Sequence, residues 1–447
     1  MFKNLLAKKI ITVQLDLWTS SLVDWLETRT PRLQNWALAQ SDSFSKEDWG
    51  KIQFKKLKRL LVRAETNVPY WQKLFKEINL NPKSLRDFED LQTMPVLTRA
   101  EIKTIPTEEL INQTAPKKLF VKAFTSGSTG EPLSFYQDRK EMPWRRAGIL
   151  KELHNFGVVL RRPALILGLS THKQLDKLGF RFRSADLEIY DQRIKILYPF
   201  IYTQKPEVLI GTPSLLSRFV FFLEKDGISM PVFKIIRYTG ESMGQGERNA
   251  ISQKFTCPIF TQYGTRECSY IGMECKEGKL HLTPWINYVE IVDHTGATLP
   301  VGRDGRIIVT YFENEVMPFI RYDIGDRGVI RYDPCPCGRQ TPTIEFIGRQ
   351  AGAIKLPSGR TIEVLRIATK IARGFHEEIA RFQLEQVSPD TFIFRVIPTT
   401  RYSAATELKL LTYFNKIFGG ELRCKLRAVE HILPNEDDKT PLFVKRY

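Results

Sequence analysis

The chain has 447 residues, of which 42% are hydrophobic, 11% aromatic and 26% charged. At roughly 100–200 residues per domain this length predicts two to three domains, and the composition excludes a disordered chain, a collagen-like repeat and a coiled coil. The 67 Lys and Arg outnumber the 50 Asp and Glu, for a formal charge of +17. Such an excess suits an anionic partner but does not choose among nucleotide, nucleic acid, acidic carrier protein, anionic lipid and polysaccharide; a solvated basic surface gives the same number. No run reaches the ~18 apolar residues of a membrane span. The first 18 residues are basic, then apolar, but Gln14 and Asp16 break the run, so they read as an amphipathic extension rather than a secretory signal. Six Cys without such a signal are expected as reduced thiols of a cytoplasmic protein.

Taken in chain order, residues 1–90 read as mostly helical and basic. The helical-period run DWGKIQFKKLKRLLVRAE stops before Asn67 and Pro69. From Phe120 to about Phe260, strands and helices alternate. LFVKAFTSGS is a strand entering a Gly/Ser loop, while PALILGL, EVLIGT and KIIRYTG are short apolar strands ending in Gly, Ser or Thr. Buried parallel strands look like this, and ligands bind at their carboxyl ends. Residues 280–347 change to alternating segments separated by turns such as HTG and RDG, predicting an antiparallel β section. After Gly348-Arg349 come a hairpin-like piece, then helix, strand, helix and strand. The pattern predicts an α/β fold: a large N-terminal domain with parallel-rich sheets and helices plus a β section, then a small α+β domain from near Arg349.

Thr125-Ser126-Gly127-Ser128-Thr129-Gly130-Glu131-Pro132 is the most informative stretch. Two glycines let successive N–H groups point one way as an anion-binding nest, and four hydroxyls add donors. These groups suit a polyphosphate. A plain Ser/Gly turn is the competing reading. The loop has no internal Lys and fits neither GxxxxGK[ST] nor GxGxxG, so it is not a Walker loop or a dinucleotide fingerprint.

TSGSTGEP resembles the phosphate-binding signature of the adenylate-forming superfamily of acyl- and aryl-CoA ligases. Further segments resemble that superfamily's phenylacetate–CoA ligase-like branch, in order: Val68-Pro69-Tyr70-Trp71, Met94-Pro95-Val96-Leu97-Thr98, Gly211-Thr212-Pro213-Ser214, Tyr238-Thr239-Gly240-Glu241, Tyr263-Gly264-Thr265-Arg266-Glu267, Tyr322-Asp323-Ile324-Gly325-Asp326 and Gly348-Arg349. The resemblance spans roughly residues 65–447. It implies a basic helical extension over 1–64, a large adenylate-forming domain over 65–348 and a small mobile lid domain over 349–447, with a homodimer as the implied oligomer.

The same resemblance distributes roles. Thr125 to Gly130 would hold the ATP phosphates, and Gly240 and Glu241 the adenine side. Tyr263, Gly264 and Thr265, together with Tyr238 and Thr239, would line the junction of acyl and nucleotide sites. Glu267 would bind Mg²⁺, Asp326 would accept both ribose hydroxyls, and Arg349 would mark the hinge and join the nucleotide-binding residues. A carboxylate with phosphate oxygens is sound chemistry for a hard cation, and an acceptor-only carboxylate can take two donors. Lys439 is the expected mobile catalytic lysine, with Lys445 second. The family's usual glycine before this lysine is Asp438 here. Arg266 replaces the Thr of YGxTE, as in some capsule-associated relatives, and could grip the α-phosphate or a substrate carboxylate with its fork. The hinge reads Gln350-Ala351-Gly352-Ala353 where an Asp is usual.

Cys335 and Cys337 form a compact pair, and Cys275 and His281 another; together they would make a Cys₃His zinc set, with free thiols as the competing reading. Some relatives similarly hold a structural zinc. Cys268, beside Glu267, is an outside candidate. The expected function is ATP-dependent activation of a small-molecule carboxylate to an acyl-adenylate, then transfer to CoA or another thiol. The alternatives are an amide-forming ligase acting on an amine or glycan acceptor, with an acidic carrier or anionic acceptor as partner, or a degenerate nucleotide-binding scaffold. No DNA- or RNA-binding motif is present, so a nucleic-acid partner is not expected.

Overall fold

The computed structural model describes residues 42, 44–125, 133–158, 164–168, 179–183, 201–203, 205–241, 243–349, 353–375, 377–432 and 442–446. Helices α1 (Lys46–Asn67), α2 (Pro69–Glu77), α3 (Arg99–Thr104) and α4 (Thr107–Leu110) come first, then strands β1 (Phe120–Phe124) and β2 (Ser134–Asp138) and helix α5 (Met142–Asn155). The middle holds β3 (Ala164–Gly168), β4 (Gly179–Arg183), β5 (Val208–Gly211), α6 (Pro213–Lys225), β6 (Ile235–Tyr238), α7 (Gln245–Phe255) and β7 (Ile259–Thr265). There follow β8 (Ser269–Glu274), β9 (Leu280–Leu282), β10 (Asn287–Val292), β11 (Gly305–Tyr311), β12 (Tyr322–Arg331) and β13 (Thr343–Arg349). The last part is β14 (Ala353–Lys355), β15 (Thr361–Glu363), α8 (Val364–Gly374), β16 (Ile379–Ser388), β17 (Thr391–Pro398), α9 (Ala404–Phe418), β18 (Arg423–Ala428) and β19 (Phe443–Lys445). The described residues fall into two compact units: one from residues up to 125, 133–158 and 262–346, the other from 164–261 and 347–446.

In the first unit, α1 begins at a capping box in which Ser45 and Asp48 satisfy each other's backbone N–H. Its buried stripe is Trp49, Ile52, Leu57, Leu60, Leu61 and Ala64. Its basic residues are not all solvated: Lys56 pairs with Glu313 at 2.6 Å, and Arg59 and Arg63 both reach Glu315. Part of the positive excess is therefore structural. The strands of this unit run in the order β10, β11, β12, β13, β9, β8 and β7. The antiparallel pattern starts at the β7–β8 pair (Gln262↔Met273), earlier than the expected residue 280. β8 is buried at every position, so it offers no polar/apolar alternation to read.

Arg321 ties this unit together. It is 1% exposed and its φ is +47°, a conformation strained for a side chain this large. Its guanidinium meets Glu290 (3.2 and 3.1 Å) and donates to the carbonyls of Gln92, Met94 and Gly296. The neighbouring backbone bonds, Leu97 N to Arg321 O and Asp323 N to Leu97 O, clamp the MPVLT segment on β12. Arg321→Met would leave the Glu290 carboxylate buried without its cation. A loss of about 3–5 kcal/mol in unfolding free energy is expected in urea titrations.

The second unit holds a parallel sheet in the order β7 (up to Thr261), β6, β5, β3, β4. Of these, β3, β5 and β6 are the expected apolar strands, while β4 (GFRFR) and β7 were not expected; β5 and β6 are buried at every residue. Leu215, Leu216, Phe219 and Leu223 of α6 pack on Leu165, Leu209 and Ile236. Further along, β14 and β15 form the expected hairpin. The single strand expected after α8 is instead two. Asp390 accepts from Ser388 and Thr391 and closes a tight β16–β17 turn. With β18 and β19 they form a sheet ordered β18, β17, β16, β19, whose inner face packs Phe392 and Phe394 on Phe414 and Phe418 of α9.

Candidate functional site

The phosphate-loop candidates Ser126, Gly127, Ser128, Thr129 and Gly130 lie outside the described residues, as does Lys439. The neck of that loop is described. β1 and β2 pair antiparallel from Phe120↔Asp138 to Phe124↔Ser134, and Thr125 continues the ladder to Leu133. Thr125 is buried, and its Oγ1 accepts from the Leu133 amide at 2.9 Å and from Arg99 Nη2 at 2.8 Å. Arg266 Nη1 donates to the Phe124 carbonyl at 3.0 Å, and Gln137 Nε2 donates to the Arg266 carbonyl at 2.8 Å. Two guanidinium groups thus bond consecutive residues at the neck of a loop whose own side chains supply donors but no cation. Arg266 stands beside the loop base. Arg99 was not singled out from the sequence; its partner lies 26 residues away, and the only local signal is the Thr98–Glu101 capping box that starts α3.

Strand β7 supplies the next group. At Gly264 a Cβ would collide with the carbonyl oxygen of Ser269, and the β7–β8 register shifts between Tyr263 and Gly264. Only glycine fits this kink. Tyr263 donates its hydroxyl to Asp326 Oδ2 at 2.7 Å and stacks at a tilt on Phe346. Asp326 lies on β12 and is 4% exposed, so it is a strand residue aimed inward and not a solvated turn residue. Thr265 Oγ1 accepts the Cys268 amide at 3.0 Å, closing the turn that carries Arg266 and Glu267. Glu267 is 7% exposed and accepts from the Tyr322 hydroxyl at 3.1 Å. Burial, with Glu267 beside it, pushes the Tyr322 phenol far up, so it stays a proton donor to that carboxylate. The first unit therefore brings together Thr125, Arg266, Glu267, Tyr263 and Asp326 through direct bonds or shared neighbours.

Gly240 and Glu241 lie in the second unit. Gly240 has φ +87°, which glycine takes without strain. Glu241 accepts from the Ser214 amide and hydroxyl and pairs with Arg381. Arg349 ends β13, but its side chain lies outside the described residues, as do Gln350, Ala351 and Gly352. Lys445 sits on β19 in register with Gln386.

The cysteine set converges. Among the described residues, the ligand atoms of Cys275, His281, Cys335 and Cys337 all lie within 4.8 Å of one another. Cys275 Sγ is 3.8 Å from Cys335 Sγ, and Cys337 Sγ is 3.4 Å from His281 Nε2. A tetrahedral zinc with bonds of about 2.3 Å to sulfur and about 2.0–2.1 Å to nitrogen places such edges at about 3.8 and about 3.6 Å. His281 Nδ1 lies 2.9 Å from the Thr341 carbonyl, which fixes the ring and turns Nε2 toward the thiols. Burial pushes the imidazole down to about 4, so it is neutral at physiological pH, as a metal ligand must be. The residues fit a zinc ion. Cys268 is not part of the group; burial, then Glu267, push its thiol well up.

No family model matches the chain. A phenylacetate–coenzyme A ligase of Thermus thermophilus is 25% identical over 325 residues, covering 67% of this chain and 69% of that protein. Protein CapK of Staphylococcus aureus is 23% identical over 384 residues, 82% of each chain. In the phenylacetate–coenzyme A ligases it matches first, the aligned stretch covers 65–69% of the relative's length. A 2-hydroxyisobutyryl-CoA ligase solved with an acyl-adenylate superposes with TM-score 0.72 at 16% identity, over 90% of both chains. In sequence the chain is similar to phenylacetate–coenzyme A ligases and to CapK, and its fold is that of an acyl-CoA ligase solved with an acyl-adenylate. No described helix is long and apolar enough to cross a membrane.

Proposed function

We propose that this ligase activates a small-molecule carboxylic acid with ATP and passes the acyl group to a thiol, that of CoA. In the first step a carboxylate oxygen attacks the α-phosphorus, the bond to the bridging α–β oxygen breaks, and pyrophosphate leaves. In the second, the thiol sulfur attacks the acyl carbonyl, its proton goes to a base or water, and AMP departs with the carboxyl oxygen. The observation that carries this reading is the loop neck, where Arg99 and Arg266 bring positive charge to the base of a hydroxyl-rich loop. A polyphosphate with about four negative charges needs that charge as well as donors.

Residue by residue, Thr125 to Gly130 would hold the phosphates and Asp326 the ribose. Gly240 and Glu241 would serve the adenine side, with Tyr263, Gly264 and Thr265 beside the reacting acyl group. Arg266 would stabilise charge on the α-phosphate. Lys439 would approach it from a lid domain spanning 349–447, hinged near Arg349. Glu267 would hold Mg²⁺, which neutralises polyphosphate charge when bound. Cys275, His281, Cys335 and Cys337 would hold a structural zinc. A cytoplasmic location suits CoA and ATP as substrates.

ATP–pyrophosphate exchange across a panel of aryl, indolyl and aliphatic acids tests the reading. Exchange that depends on one class of acid supports it. Nucleotide binding with no exchange for any acid would overturn it in favour of a non-catalytic scaffold.

A further inference from the structure

Three ionisable side chains meet inside the second unit, and the reaction scheme above uses only one of them. Arg381, on β16, has Nη2 2.6 Å from Glu241 Oε2 and Nη1 3.4 Å from Glu247 Oε1. The side chains of Arg381, Glu241 and Glu247 are 11%, 3% and 5% exposed. Both carboxylates are also held from α6 and its N-cap turn. Ser214 donates to Glu241 through its hydroxyl (3.0 Å) and its amide (3.2 Å), and Ser217 donates to Glu247 at 2.7 Å. Burial pushes the Glu247 carboxyl up, against the pull of Arg381.

One guanidinium against two buried carboxylates is a poor way to gain stability, because apolar residues of the same volume often do as well. It is a good way to fix orientation, since the planar fork offers donors in two set directions. The segment it fixes needs fixing. Gly240 at φ +87° leaves the backbone permissive, and beside it Thr239 N donates to Gly211 O across 3.2 Å. Beyond Glu241 the chain runs close to the strand that carries the arginine; a Cβ on Gly244 would lie 3.0 Å from the Ala380 carbonyl. Arg381 therefore reaches across a short gap to the one acidic side chain of the Tyr238–Glu241 motif.

We propose that Arg381 is a positioning residue: it holds the Glu241 carboxylate, and through it the Thr239–Glu241 backbone, in the form that receives the nucleotide's base. The proposal rests on the ligase reading for its kinetic arm only. Seating β16 and ordering the base-contacting segment then become one event. A chain in which β16 has moved away is left with two carboxylates in one pocket and a loosened motif.

The test compares R381M, R381K and, as a control from the same small sheet, R395M. Arg395 pairs with Glu385, far in sequence from the motif. In R381M the KM for ATP in the exchange assay is expected to rise about tenfold or more, the equivalent of one lost charge-assisted bond, with kcat falling less than about threefold. Amide hydrogen exchange of 239–247 is expected to accelerate about tenfold. R381K keeps the charge but not the fork and should recover only part of both effects. R395M should move neither. Wild-type ATP KM together with unchanged protection of 239–247 in R381M would overturn the proposal, and so would an equal effect from R395M. If R381M does not fold, R381K is read alone, with a rise in KM of about threefold expected and none overturning it. If the wild type shows no pyrophosphate exchange with any acid, the ligase reading fails separately. Amide exchange, with AMP titrated as the probe, still decides the role of Arg381.

Discussion

Asp326→Ala is expected to lower kcat/KM for ATP in pyrophosphate exchange by on the order of 10²–10⁴-fold, with the fold intact by circular dichroism. The carboxylate is 4% exposed and already accepts the Tyr263 hydroxyl at 2.7 Å. An ionised carboxylate has about four acceptor sites, so a bond to Tyr263 leaves room for two ribose hydroxyls. Each such charge-assisted bond contributes about 1.5–3 kcal/mol, and two of them account for the expected range. Asp326→Asn keeps the shape but turns one acceptor into a donor facing hydroxyl groups, and should fall between wild type and alanine. Tyr263→Phe removes the group that orients the carboxylate without touching its charge; a loss of about tenfold is expected. Exchange in Asp326→Ala at the wild-type rate would reject the ribose assignment, and with it the placing of the nucleotide on β7 and β12.

The sequence made parallel strands β3, β5 and β6 visible because each is a short apolar run with a small residue at its end, as in EVLIGT, whereas β4 alternates Phe with Arg and gave no such run. Strand β8 escaped because burial on both faces removes alternation. The split of β16 from β17 was signalled by Ser388-Pro389-Asp390, a turn-forming triplet. At the candidate site, contiguous motifs were legible, since Tyr263 to Glu267 need only one turn of chain to act together. Pairings between distant residues were not. Nothing near Arg99 points to Thr125, nothing near Tyr322 points to Glu267, and Arg381 sits in a charged stretch (IARFQLEQ) that reads as an ordinary surface strand. Gly264 is the instructive intermediate case: the motif is visible in the sequence, but its cause, the nearness of the Ser269 carbonyl, appears only once β7 and β8 are paired.

The purified protein is expected to contain one zinc ion per chain, and Cys275→Ser is expected to lose it. The structural reason lies in the weak pairing around the four ligands. β9 has three residues, and its register with β13 rests on Thr343↔His281. Cys275 and Cys335 each open a tight turn, with Gly278 at φ +72° and Gly338 at φ +87° closing them through bonds back to the cysteine carbonyls. A closed ion would join those two turns to β9, work that the short ladders do poorly. Buried charge nearby depends on the same geometry: Arg339, two residues beyond Cys337, pairs with Glu152 at 3.3 Å. Structural zinc sites in small peptides contribute about 10–16 kcal/mol. In a unit with its own core, loss of a ligand is expected to cost less, on the order of 5 kcal/mol. Metal analysis and thermal melting with and without a chelator check this. Wild-type protein free of zinc, with a melt that neither chelator nor Cys275→Ser shifts, would show the four groups to be ordinary thiols beside a neutral histidine.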